Sequence, residues 1–304
     1  MNWEKLGLII KPDESIWWLS HYGGPTFVDI YNDEIKLYFV GRDKNGISRI
    51  GYAILDKSDL RKVLHISKDP VFDIGKIGYF DENGVSYPWI VRNGNELLLY
   101  YVGWTQGGIG GFWTHIGLAK YNIEIKKFER LLNVPIIDRI NTEPICSGSC
   151  CVIKEGKLWK MWYTSFDRWE ENDKPLHYYH IKYATSLDGI NWKREGIIAI
   201  DFNDEKEYTI AKPMVIYENG IYKMWYSYRG KYYKIGYAES YDGLEWSRMD
   251  KKVGINVSSK GWDSEMIEYG YVFDYDNKRY MMYNGNGFGK SGIGLAVMTN
   301  KVEE

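Results

Sequence analysis

One pattern recurs five times along the 304 residues, and no other property of the chain restricts its fold as much. Each copy has an alternating aromatic strand, a polar loop, and a strand close to x-I-G-Y-A. The copies are KLYFVGRDKNGISRIGYA (Lys36 to Ala53), LLLYYVGW…THIGLA (Leu97 to Ala119), LWKMWYTSF…YHIKYA (Leu158 to Ala184), IYKMWYSYRGKYYKIGYA (Ile221 to Ala238) and RYMMYNGNGFGKSGIGLA (Arg279 to Ala296). The equivalent residues Gly51, Gly117, Lys182, Gly236 and Gly294 lie 66, 65, 54 and 58 residues apart. That spacing suits one four-stranded sheet with its loops, the size of a propeller blade. A short strand precedes each copy: GPTFVDI, YPWIV, SCCVI, KPMVI and YGYVF. Copies three and four continue into S-L-D-G-I-N-W and S-Y-D-G-L-E-W, in which Asp-Gly signals a tight turn and the Trp packs back over it.

Period-two strands, Gly-rich turns and almost no helical periodicity predict an all-β protein. The expectation is a single five-bladed β-propeller spanning residues 1–304, without linker or domain boundary. Copy five ends at Met298 without a fourth strand. The apolar stretch Leu6-Gly7-Leu8-Ile9-Ile10 has the length to fill that edge, so the N-terminal strand is expected to close the last blade.

Charge and cysteine usage exclude several classes. Lys+Arg of 39 against Asp+Glu of 41 gives a net charge of -2, without the basic excess of a general nucleic-acid binder. No apolar run approaches the roughly 18–20 residues that span a bilayer. The opening MNWEKLGLIIKPDESIWW lacks the basic and apolar regions of a signal peptide. The cysteines Cys146, Cys150 and Cys151 are odd in number and bunched, which is no disulfide framework; buried packing is their expected role. A cytoplasmic location is expected, with no nucleic-acid or membrane partner.

Y-x-M-W-Y-S followed by I-G-Y-A-x-S-x-D-G-x-x-W, in a chain of five such units, resembles the superfamily containing glycoside hydrolase families 32, 43 and 130. Trp3 to Ile9, S-H-Y-G-G-P (Ser20 to Pro25), H-I-K-Y-A (His180 to Ala184), G-W-D-S-E-M-I-E-Y (Gly261 to Tyr269) and Tyr283 to Ala296 resemble, more narrowly, family-32/43-like proteins associated with bacterial surface-glycan clusters. The resemblance implies a carbohydrate ligand. It also implies a catalytic Asp immediately before a Pro on the innermost strand of the first blade. The matching place here reads Gly23-Gly24-Pro25, and copies two and four read Tyr87-Pro88 and Lys212-Pro213, so that catalytic trio does not carry over. No cofactor is indicated; a channel ion such as calcium follows only from the resemblance, and no ligand spacing announces it.

Blade topology brings the starts of strands one and three and the end of strand two to one face. Three residue groups fall there. Seven places before Pro88, Cys150 and Gly270 stand Asp81, Glu143 and Asp263, with Glu265 and Glu268 nearby. Glycoside cleavage needs a protonated and an ionised carboxyl, and Asp81, Glu143, Asp263 and Glu265 form the expected acid/base pool, with Glu268 beside the substrate. Arg49, His115, His180 and Lys234 precede the third strands, and Arg42 and Arg229 end second strands. Together they suit an anionic ligand such as a sugar acid or sugar phosphate. The alternative is that these side chains alternate outward and pair with surface acids such as Asp43. Trp104, Trp113, Phe166, Trp169, Trp17 and Trp18 are loop aromatics on which sugar C–H faces can stack, Trp104 and Trp169 foremost.

The reading is therefore a carbohydrate-active enzyme cleaving a glycosidic bond by hydrolysis or phosphorolysis in the propeller funnel. The competing class is a non-catalytic glycan or sugar-nucleotide binder that has lost the first-blade Asp. The sequence leaves open the sugar, the anomeric outcome and the oligomeric state.

Overall fold

The structure, a computed structural model, describes residues 1–171 and 175–299. Strand β1 (Trp3–Ile10) comes first. Unit 1 runs β2 (Tyr22–Tyr31), β3 (Glu34–Arg42), β4 (Ser48–Leu55) and β5 (Val63–Ile66). Unit 2 runs β6 (Gly84–Asn93), β7 (Glu96–Gln106), β8 (Phe112–Asn122) and β9 (Lys127–Arg130). Unit 3 runs β10 (Ser147–Glu155), β11 (Leu158–Glu170), β12 (Leu176–Ser186) and β13 (Lys193–Ile200). Unit 4 runs β14 (Thr209–Glu218), β15 (Ile221–Arg229), β16 (Tyr233–Ser240) and β17 (Ser247–Arg248). Unit 5 has β18 (Glu268–Tyr275), β19 (Lys278–Asn284) and β20 (Ile293–Met298), and β1 pairs antiparallel with β20 as its fourth strand. The described residues are all-β apart from two short 3-10 turns, Asp250–Lys252 and Asn286–Gly289.

The first strands contact one another in chain order, and β18 returns to β2, so they surround a common centre. Each breaks register at the same place: between Gly23 and Thr26, Ser86 and Trp89, Ser147 and Cys150, Ala211 and Met214, and Glu268 and Tyr271. A bulge of this kind re-aims the side chains that follow the break. Tyr87, Lys212 and Tyr269 occupy the first bulge position in three units, all in the left-handed region with φ of 51°, 53° and 56°. Left-handed backbone at bulky residues is strained and persists only where the surroundings enforce it. The register corrects one alignment: Ser149, not Cys150, is the counterpart of Pro88, which leaves Glu143 six places ahead instead of seven.

The glycine of I-G-Y-A has a packing cause. A Cβ at Gly51 would stand 2.2 Å from the Trp18 ring, and one at Gly294 would stand 2.2 Å from Trp262. The approach loops of units 1 and 5 thus lay an indole flat on their own sheet. Trp18 is fully buried in this way, which removes it from the candidate sugar platforms. Neighbouring units are joined at the Asp-Gly turns: the Tyr100 hydroxyl donates to the Gly189 carbonyl at 2.9 Å, and Trp162 Nε1 donates to that of Gly243 at 2.8 Å. Trp246 packs back on its own turn, donating to Gly243 at 3.0 Å. On the axis, Phe27, Trp89 and Tyr271 from three first strands form an aromatic plug with centroids 5.0–5.9 Å apart. The three cysteines are buried and unbridged. No helix among the described residues is long and apolar enough to cross a membrane.

Candidate functional site

A cavity of about 240 Å³ opens at the centre, where the first-strand bulges, the second-strand ends and the third-strand starts converge. It is smaller than the roughly 300–1,000 Å³ typical of drug-sized sites, which suits a ligand of about one ring.

A single repeat position builds much of its wall. Three residues beyond Phe39, Tyr101, Tyr163 and Tyr226 on the second strands stand Arg42, Trp104, Phe166 and Arg229, and all four line the cavity. Units 2 and 3 therefore present rings, extended by Phe112, while units 1 and 4 present guanidinium groups. These two flank unit 5, whose Phe288 completes the cationic side. Arg42 lies over the Tyr22 ring at 4.3 Å. Arg229 is held by Tyr208 at 4.8 Å, Tyr233 at 4.9 Å and Phe288 at 5.3 Å, and donates Nε–H to the Thr209 hydroxyl at 3.1 Å. Among the described residues neither arginine has a carboxylate partner. Aromatic faces hold both guanidinium groups in place and leave donors unspent.

The rest of the wall is neutral. Tyr22, Tyr87, Tyr179, Tyr233 and Tyr269 line it, and burial pushes each phenol above its ordinary value. His177 stacks on Tyr179 at 5.4 Å, and burial, helped by nearby Arg229, brings its imidazole down to about 4. Its Nδ1 and the Thr114 hydroxyl are buried without a partner among the described residues. Among the described residues no Asp or Glu lines the cavity, and the charged side chains on its wall are Arg42 and Arg229.

Glu268 stands just behind that wall. It is 0% exposed, neither carboxyl oxygen has a hydrogen-bond partner among the described residues, and burial raises its pKa well above the usual carboxylate range despite Arg229 nearby. Desolvation disfavours its charged form. Lys212 lies deeper on the axis, 1% exposed, with its ammonium 5.4 Å from the Trp89 ring and 5.6 Å from that of Tyr271. Burial lowers its pKa to about 8.

The expected acid pool lies elsewhere. Asp81 accepts from the Tyr101 hydroxyl at 2.9 Å and from Arg130 at 2.7 Å. Glu143 accepts from Tyr163 at 2.8 Å and Ser165 at 3.1 Å, with Arg194 at 3.6 Å. Asp263 accepts from Tyr283 at 3.0 Å and Lys5 at 2.6 Å. In unit 4, Asp250 binds Tyr226 and Arg248 in the same way. These are buried clasps in which an approach-loop acid, or an outer-strand one in unit 4, grips a second-strand tyrosine. Each carboxylate there has a cationic partner and a tyrosine hydroxyl, although Asp81 Oδ1 is buried without a partner among the described residues, and Asp81, Glu143 and Asp263 are not among the wall residues. Glu265 is exposed on its loop and also off the wall.

The cationic group divides. Arg42 and Arg229 reach the cavity. Arg49 is spent on Asp43 at 2.8 Å and Asp73 at 2.6 Å, and His180 on Asp201 at 3.1 Å. His115 faces Asp138 at 3.9 Å, and Lys234 is exposed. The residues one place earlier, Thr114, Tyr179 and Tyr233, point inward instead. Alternation along a strand makes this one-residue difference decisive. Of the aromatics, Trp104 and Phe166 line the cavity. Trp169 backs it, 5.3 Å from Phe112 and 5.1 Å from His177. Trp113 sits under Arg139, and Trp17 under Arg49, away from it. Among the described residues no cluster of three or more His, Cys, Asp or Glu could hold a metal ion.

No protein-family model matches the chain. Over 301 residues, 99% of this chain and 100% of the relative, it is 38% identical to two Mycobacterium tuberculosis proteins, "Uncharacterized protein MT1551" of strain CDC 1551 / Oshkosh and "Uncharacterized protein Rv1502" of strain H37Rv. Its fold is similar to solved glycoside hydrolases. One described as "Glycoside hydrolase" superposes with a TM-score of 0.78 at 18% identity, covering 97% of this chain and 91% of the other. A thermostable family-43 glycoside hydrolase gives 0.68 at 16% identity, with 92% and 90% covered. A structure from work on family-130 mannoside phosphorylases and hydrolases of β-1,2 mannosidic linkages in Candida mannan gives 0.75 at 16% identity, with 99% and 94% covered. The fold is that of the family 32/43/130 superfamily.

Proposed function

The chain belongs to the family of the mycobacterial proteins Rv1502 and MT1551, and we propose that it is a five-bladed, carbohydrate-binding propeller that holds a sugar in its axial cavity. Units 1 to 5 are the blades, with β1 closing the fifth. The observation that carries this reading is the repeat position Arg42, Trp104, Phe166 and Arg229, which gives one wall rings and the other wall hydrogen-bond donors. A sugar ring has the matching character, with C–H faces that stack on aromatic rings and oxygens that accept from guanidinium groups. The fold neighbours, several of them glycoside hydrolases, agree with a carbohydrate ligand. The buried, unbridged thiols agree with a reducing compartment such as the cytoplasm.

Binding is favoured over two-carboxylate hydrolysis. Hydrolysis needs paired carboxyls about 5–9.5 Å apart across the scissile bond, and among the described residues none stands on the wall. One observation favours a second reading, phosphorolysis: Glu268 is a fully buried carboxyl directly behind the wall, and burial favours its protonated form. Its proton would pass to the glycosidic oxygen as that oxygen leaves the anomeric carbon. An oxygen of inorganic phosphate, held by the arginines, would form the new bond. The phosphate's proton would restore the acid. Because Glu268 has no exposed surface, the residues covering it must part first.

A glycan array tests the main reading. The intact chain should bind a subset of glycans, and Trp104→Ala should lose that binding while remaining folded. Binding unaffected by this change would place the ligand elsewhere. Sugar-phosphate release that requires phosphate and is abolished in Glu268→Gln would establish the second reading.

A further inference from the structure

We infer that the ligand carries an anionic group, a carboxylate or phosphate ester, and that it sits between Arg42 and Arg229 with its ring turned toward Trp104 and Phe166. The inference rests on the carbohydrate reading above and adds the ligand's charge and orientation.

Three observations carry it. First, the four wall residues at one repeat position are sorted by blade: rings on blades 2 and 3, guanidinium groups on blades 1 and 4. The cavity is therefore polarised across its width, with blade 5 between the two charges. Second, among the described residues neither charge has a carboxylate partner. Arg49, by contrast, has Asp43 and Asp73, and Arg248, behind the wall of blade 4, has Glu207 and Asp250. Arg42 rests on an aromatic face, Arg229 on aromatic faces and the Thr209 hydroxyl, and Glu268, a carboxyl close to Arg229, is buried, which disfavours its charged form. Two partly buried cations in one small cavity repel each other unless an anion is added. Third, the positioning is built. Tyr22 sets the plane of Arg42, and Phe288 helps set that of Arg229. Phe288 stands on the loop Asn286–Gly289, where Gly287 and Phe288 both adopt positive φ, 73° and 65°. The run GNGFGKSG is thus a fence between two anion-binding forks.

The fork geometry of arginine accepts two oxygens of one carboxylate or phosphate in parallel, and such charge-assisted bonds are about twice as strong as neutral ones. A neutral sugar would leave these donors under-used.

The test is an array of neutral and acidic glycans with the full chain, followed by titration with glucuronic acid, glucose 1-phosphate, glucose and inorganic phosphate as competitors. Acidic glycans should dominate binding. Arg42→Gln and Arg229→Gln should each weaken it about tenfold or more, while Arg42→Lys and Arg229→Lys should keep the preference for acids at lower affinity. Stronger competition by glucuronic acid assigns a carboxylate; stronger competition by glucose 1-phosphate assigns a phosphate ester. Binding confined to neutral glycans, or unchanged in both glutamine variants, overturns the inference and leaves the carbohydrate reading standing. Binding to no glycan overturns both. Melting curves of all four variants separate lost binding from lost folding.

Discussion

The ring of Tyr22 fills the space that a side chain at Gly24 would need: a Cβ built there lies 1.9 Å from the ring. The resemblance in the sequence implies a carboxylate at this position. Here the space belongs to a tyrosine that carries the Arg42 guanidinium on its face, 4.3 Å from the ring. Where the resemblance implies negative charge, the first unit here presents a guanidinium group to the cavity.

Gly24→Ala should therefore destabilise the fold by about 1–3 kcal/mol, the usual cost of overpacking. The double variant Tyr22→Ala/Gly24→Ala should be less destabilised than the sum of the single changes, because removing the ring vacates the contested space. Denaturant midpoints of the three variants check this, and strict additivity would show that the two residues do not compete.

The clasp acids are predicted to matter for stability and not for ligand binding. Asp81→Asn leaves Arg130 beside a fully buried site without its charge partner, a change that typically costs about 3–5 kcal/mol. Asp263→Asn releases Lys5, which ties β1 to the fifth unit, and should loosen the ring closure. Urea titrations should show lower midpoints for both, while the folded fraction binds glycans with wild-type affinity. A specific loss of binding at full stability would return these acids to the site.

Much of this was legible in the chain. The aromatic strand and the I-G-Y-A strand recur because each sheet has an aromatic row, and in four units a glycine leaves room for a ring, an indole in units 1 and 5 and a tyrosine in units 2 and 4, so the strand order could be read directly. The clasps also left a trace, an acid 20 residues before a tyrosine in Asp81/Tyr101, Glu143/Tyr163 and Asp263/Tyr283. The cavity wall was harder. Whether His180 or Tyr179 faces inward depends on a one-residue phase set by the neighbouring strand, and the bulges shift that phase by an amount no periodicity encodes. Tyr87 and Lys212 showed in the sequence only as residues before Pro that were not carboxylates. Glu268 was expected beside the substrate, and its burial depends on the packing between units.

Lys212 should be a net cost to the fold. Burial lowers its pKa to about 8, against about 10.4 for a free lysine. Between these values the unfolded chain binds more protons than the folded one, so this residue makes stability rise with pH over that window. Lys212→Met keeps the length, removes the charge, and should add about 1–3 kcal/mol at pH 7 with less gain near pH 9.5. Melting temperatures at both pH values check it. A less stable variant would mean that the Trp89 and Tyr271 faces hold the ammonium more strongly than its burial disfavours it.

Ligand binding should be flat in pH across the neutral range. His177 titrates at about 4, the lining phenols above their ordinary range and the deeper Lys212 at about 8, so among the described wall residues the two permanently charged guanidinium groups act between about pH 5 and 7. Affinity for a sugar acid, measured calorimetrically, should show no inflection near 6.5. An inflection there would mean that His177 is protonated in the complex.

The most direct test is a crystal structure of the chain with a bound sugar acid. The account predicts its ring against Trp104 or Phe166 and its anionic oxygens within hydrogen-bonding distance of Arg42, Arg229 or both. A sugar seated instead against Asp81, Glu143 or Asp263, with the two arginines untouched, would contradict it.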